Sequence, residues 1–96
     1  MLSGIALYHA HLGHNSDAQA YITRALDISP NNGDTLFTEA LVYEIVGHRD
    51  RAVTPLQQAV KAGYSLEEIE KEPELRKLQG DPHYQRWLAQ TKNFKQ

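Results

Sequence analysis

Apolar residues recur three and four apart through most of residues 2–62, the spacing of one face of an α-helix, in four runs separated by short polar breaks. The first run predicts a helix over residues 2–12, with Leu2, Ile5, Ala6, His9 and Leu12 on one stripe. The second predicts a helix over 16–28 that packs through Ala18, Tyr21, Ile22, Ala25 and Leu26. The third, capped by Gly33 or Asp34, has one stripe of Leu36, Ala40, Tyr43 and Val46 and another of Phe37, Leu41, Glu44 and Ile45, so it should be covered on both sides. The fourth, over 49–62, uses Ala52, Leu56, Ala59 and Val60; Pro55 inside it removes one backbone hydrogen bond and predicts a slight bend.

Beyond Gly63 the runs shorten. Ser65 and Glu68 have the spacing of a capping box, which predicts a short helix ended by Glu72-Pro73. Gly80-Asp81-Pro82 stacks a helix stop, an N-cap and a proline suited to the first helical position. A last helix over 82–93 follows, with Tyr84, Trp87, Leu88 and Thr91 on its inner face.

The first four runs are two copies of one unit. At an offset of 34 residues Leu2 meets Leu36, Ala6 meets Ala40, Leu7 meets Leu41, Gly13 meets Gly47, His14 meets His48, Ala18 meets Ala52 and Ala25 meets Ala59. Each copy is a helix, a break at Leu12-Gly13-His14 or Val46-Gly47-His48, and a second helix opened by a small residue. The period and the residues Gly13, Ala18, Ile22, Ala25 and Pro30, then Tyr43, Gly47, Ala52, Leu56 and Ala59, resemble tetratricopeptide repeats. Leu2 and Leu36 stand where that family often has Trp, His9 where it often has Tyr, and Gly63-Tyr64 replaces the closing Pro.

The resemblance implies an all-α, right-handed helical solenoid: one hairpin over 1–32, a second over 33–64 and a capping helical tail over 65–96, all one domain. With no N-cap signal ahead of Leu2, the chain is expected to be a fragment of a longer array, with Met1 a cloning residue. The tail, through Gly63-Tyr64, Ile69, Pro73-Glu74-Leu75, Leu78, Asp81-Pro82, Tyr84 and Leu88, resembles the closing segment of arrays in larger bacterial regulatory proteins.

Composition narrows the chemistry. A net charge of −2 with scattered Lys and Arg argues against nucleic acid, and no apolar run is long enough to predict a membrane span or signal peptide, so a cytoplasmic setting is the expectation. The absence of cysteine removes disulfides and thiolate chemistry. Glu67, Glu68, Glu70, Glu72 and Glu74 read as a solvated face, no phosphate loop occurs, and each serine has a turn or capping role, so neither catalysis nor a cofactor is expected.

What remains is binding. The family resemblance implies a concave face, built from the first helix of each hairpin, that takes a partner peptide or helix. Here it would present Ser3, Leu7, Ala10 and His11, then Phe37, Thr38, Leu41, Glu44 and Ile45. On that footing Phe37→Ala weakens association by about 1–3 kcal/mol. The set by which some relatives grip a terminal carboxylate is absent, since Ser3, Leu7 and Thr38 hold the comparable positions. Against an open groove stands a core in which Leu7, Leu41 and Ile45 pack between repeats and the tail fills the space. An alternative is a homodimer formed through an exposed face of the first helix. His11, His14 and His48 are the candidate metal ligands, set against capping and solvated roles; His9 lies on the core stripe, the rings need not converge, and no bound metal is expected.

Overall fold

The computed structural model describes residues 2–94, with side chains for 4–91. Every regular element among them is helical: α1 (Leu2–His11), α2 (Asn15–Ile28), α3 (Gly33–Val46), a 3-10 turn (Arg49–Arg51), α4 (Val53–Lys61), α5 (Leu66–Lys71), a second 3-10 turn (Pro73–Leu75), α6 (Arg76–Gln79) and α7 (Pro82–Phe94). No helix among the described residues is long and apolar enough to cross a membrane.

Three helices stop by the same device. Gly13, Gly47 and Gly63 have φ of 79°, 93° and 101°, a region open to glycine because it lacks Cβ. In each case the residue after the glycine donates its N–H five residues back, His14 to His9 O at 2.9 Å, His48 to Tyr43 O at 2.8 Å and Tyr64 to Ala59 O at 2.9 Å. The glycine N–H donates three residues back, completing the two-bond C-cap that satisfies carbonyls the helix leaves open. Because Gly13 and Gly47 carry the same cap at the same repeat position, α1 turns into α2 as α3 turns toward α4.

Other boundaries depart from the pattern. Asn32, rather than Gly33 or Asp34, caps α3, its Oδ1 accepting from Thr35 N at 3.0 Å. Gly33 lies inside the first turn, where a Cβ would stand 3.2 Å from Tyr64 Cβ. Pro55 does not bend a continuous helix: residues 49–51 form a 3-10 turn and α4 begins at Val53, so Pro55 falls in the first turn, whose N–H groups have no intrahelical acceptor. The capping box is not formed, since the Ser65 side chain makes no cap bond. By contrast Glu72 and Asp81 cap as expected of acidic residues beside proline, accepting from Glu74 N at 3.3 Å and His83 N at 2.8 Å.

Helix α3 is the centre. It packs on α1, α2 and α4 and on the turn at Pro73–Leu75, which explains why Leu36, Phe37, Ala40, Leu41 and Val42, spread around its circumference, are all buried. On one side Val42 joins Ala6, Ala10, Ala18 and Ile22. On the other, Leu36, Phe37 and Leu41 join Leu56 and Ala59 of α4 and Ile69, Leu75, Leu78, Tyr84 and Trp87 of the tail. Four of the six largest fully buried side chains, Tyr84, Ile69, Leu75 and Leu78, belong to the tail, so the tail is core and not an appendage. Gln79 ties it internally, Nε2 donating to Ile69 O at 3.1 Å. The extents of 40 × 25 × 19 Å are about two helix diameters in the thinnest direction.

The buried face of α1 differs from the predicted stripe. Ala6 and Ala10 are enclosed, whereas Ile5, Tyr8 and Leu12 are 39%, 62% and 51% exposed. Helix α1 is wedged between α2 and α3, and the alanines let both backbones approach.

Candidate functional site

The expected concave face is occupied by the chain's own tail. Phe37 and Leu41 are core residues, and the Phe37 ring stacks on Tyr64. The turn at Pro73–Leu75 packs on α3 with Leu75 fully enclosed, and the preceding residue of that turn, Glu74, reaches His11 of α1 at 3.5 Å between Oε1 and Nε2. Leu7 is half-buried against the same cluster. Ile45, also half-buried, packs on the opposite cluster with Val42. Of the set expected to hold a partner, Phe37 and Leu41 offer no free surface, and Leu7 and Ile45 only part of theirs.

The polar members are also engaged. The Thr38 hydroxyl donates to Asp34 O at 2.9 Å, one turn back in its own helix. Glu44, its side chain only 6% exposed, accepts from Arg49 Nε through both oxygens at 2.8 and 3.2 Å, closing the α3 C-terminus onto the following turn. Ser3 lies on α1, its side chain outside the described residues.

Three of the four exposed large apolar residues among those described lie on or just after α1; the fourth is Ile28, at the end of α2. Ile5, Tyr8 and Leu12 are spaced three and four apart and therefore share one stripe, turned away from the alanines that face α2 and α3. Nothing in Leu2–His11 carries a carboxylate, lysine or arginine, so the stripe has no charge of fixed sign on its own helix. Sequence periodicity found Ile5 and Leu12 and assigned them inward; it missed Tyr8.

The histidines are distributed differently from the expected set. His11 faces Glu74, and His48 lies edge-on to Tyr43 with ring centroids 6.5 Å apart, so neither joins His14. His14 instead meets His9, Nδ1 to Nδ1 at 3.1 Å, because the Gly13 cap folds the chain back over the end of α1. The His9 ring is itself stacked on Tyr21 of α2, 5.3 Å between centroids and 5° from parallel.

Burial raises the Glu39 carboxyl above its usual range, and a hydrogen bond from Tyr43 partly offsets that. Glu39 and Tyr43 are a single turn apart on α3, so the shift reports partial enclosure of that face of the helix. No family model, curated protein or solved structure matches the chain.

Proposed function

We propose that the protein is a non-catalytic protein–protein interaction module built as a tetratricopeptide-type solenoid, and that it self-associates through the outer stripe of α1. The repeat reading rests on the identical C-caps at Gly13 and Gly47 and on the packing of α3 against both helices of the preceding pair. The concave face carries no partner in this proposal, because the turn at Pro73–Leu75 packs on α3 there with Leu75 enclosed.

The single observation behind the contact is the stripe itself, three large apolar side chains from 39% to 62% exposed and in line on one helix. A second copy is the favoured occupant. Two identical stripes meeting about a twofold axis bury Ile5, Tyr8 and Leu12 against their own kind, and the lack of charged side chains on α1 removes like-charge repulsion from that meeting.

Sedimentation velocity over a range of concentrations tests this. The wild-type chain should shift from monomer to dimer, and Leu12→Glu, which places a carboxylate in the contact, should weaken dimerisation at least about tenfold with helicity retained. A chain that stays monomeric at the highest concentration, or a Leu12→Glu chain that dimerises as well as wild type, rejects the proposal.

A further inference from the structure

We propose that the turn between α1 and α2 is a binding site for a divalent transition-metal ion of the zinc type, held by His9, His14 and Asp17. The ligand atoms of these three side chains all lie within 4.8 Å of one another. They come from opposite sides of the turn: His9 from the end of α1, and His14 and Asp17 from the N-cap and first turn of α2. A bound ion would therefore add a direct link between two helices that already meet through the His9–Tyr21 stack and the Gly13 cap.

The two imidazoles supply the strongest geometric argument. Their Nδ1 atoms face each other at 3.1 Å. With metal–nitrogen bonds of about 2.0–2.1 Å and tetrahedral angles, two zinc-bound nitrogens stand about 3.3 Å apart, so little movement is needed to admit the ion. The His9 ring is already oriented, half-buried and stacked on Tyr21, which lowers the ordering cost of coordination. His14 and Asp17 are exposed, which leaves an entry path and room for water in the fourth position. Two nitrogens and one carboxylate oxygen suit zinc and its neighbours better than magnesium or calcium, which favour all-oxygen sets.

The second copy of the repeat is an internal control. Its Gly47 makes the same C-cap and His48 occupies the place of His14, but Tyr43 stands for His9 and Arg51 for Asp17. The backbone of the turn therefore does not require the ligand set, which is present in one copy only. The site uses none of the residues of the self-association stripe.

Calorimetric titration of the untagged chain with zinc chloride, with circular dichroism to verify folding, decides the matter. Wild type should bind one equivalent, and magnesium at the same concentration should give no saturable heat. His14→Gln, a change at an exposed position, and His9→Tyr, which copies the second repeat, should each weaken zinc binding at least about tenfold, since losing an outer-shell partner alone typically costs that much. His48→Gln should bind as wild type does. Absence of saturable zinc binding, equal binding of magnesium, an unchanged affinity in folded His14→Gln, or an equal loss in His48→Gln would each overturn the assignment. Should His9→Tyr not fold, His14→Gln carries the test by itself.

Discussion

Phe37 and Tyr64 stack face to face, their ring centroids 4.6 Å apart and their planes 16° from parallel. The pair joins the first turns of α3 to the end of α4, over the residue at which the repeat pattern lapses. Tyr64 holds the position that Pro30 occupies in the first copy, so the aromatic ring replaces a chain-stopping residue with a packing one. Leu75 of the tail belongs to the same buried cluster as Phe37, with Tyr64 packed against it.

Phe37→Ala should accordingly act on stability. Removing a buried phenylalanine costs about 3–5 kcal/mol, a large share of what a domain of this size has. Phe37→Leu, which retains apolar volume and loses the stack, should cost about 0.5–1.5 kcal/mol. Urea unfolding followed by circular dichroism measures both. Self-association of the folded Phe37→Leu chain should equal that of wild type. A folded Phe37 variant with normal stability and weakened association would return the contact to the concave face.

Gly47 and Gly33 resist alanine for different reasons. At Gly47 a Cβ would meet nothing within 4 Å, so the cost of Gly47→Ala is the backbone's alone, about 1–2 kcal/mol for a left-handed residue at φ 93°. Gly47→Asn should recover part of it, since asparagine tolerates that region. Gly33 is helical, and its substitution is opposed by Tyr64 Cβ at 3.2 Å. Gly33→Ala should therefore be eased by Tyr64→Gly, which removes that Cβ, whereas Gly47→Ala should not, a difference that thermal unfolding of the single and double variants resolves.

The all-α class was legible in the sequence because Gly13, Gly47, Pro73 and Asp81-Pro82 punctuate apolar runs of helical period, and the double stripe of α3 foretold a helix covered on two sides. The inner face of α7, with Tyr84 and Trp87 buried and Leu88 and Thr91 half-buried, was equally plain. Helix α1 was misassigned because it has no charged residue to mark its outer face, so Ile5 and Leu12 looked as fit for the core as Ala6 and Ala10. Periodicity left an open groove and a tail-filled one as alternatives, because Leu75 joins the cluster of Phe37 and Leu41 from a distant part of the chain. The pairing of His14 with His9, in place of His11 and His48, was missed for a related reason. Five residues apart, His9 and His14 fall outside helical spacing rules, and only the left-handed Gly13 brings the second ring back over the first.

Tyr84 offers a test of the core that depends on pH. It is 1% exposed, lies edge-on to Trp87 with centroids 5.5 Å apart, and its hydroxyl has no hydrogen-bond partner among the described residues. Burial, with a smaller contribution from the charge of Glu70, lifts its phenol above the usual value of 10.0. Burial acts in the same direction on Tyr64, reinforced by Asp34, Glu68 and Glu72. A raised phenol keeps its proton in the folded chain where the unfolded chain has lost it. The folded state then binds more protons, so stability from these groups is complete below the unfolded value of about 10 and declines as pH rises through the folded one. Tyr84→Phe removes a buried hydroxyl left without a partner, an arrangement that costs about 1–3 kcal/mol. The variant should be as stable as wild type or more so at pH 7, and it should lose less stability between pH 9 and 11. Urea midpoints across that range measure both effects. A Tyr84→Phe chain more than about 1 kcal/mol less stable than wild type at neutral pH would mean that the hydroxyl makes a net favourable hydrogen bond in solution.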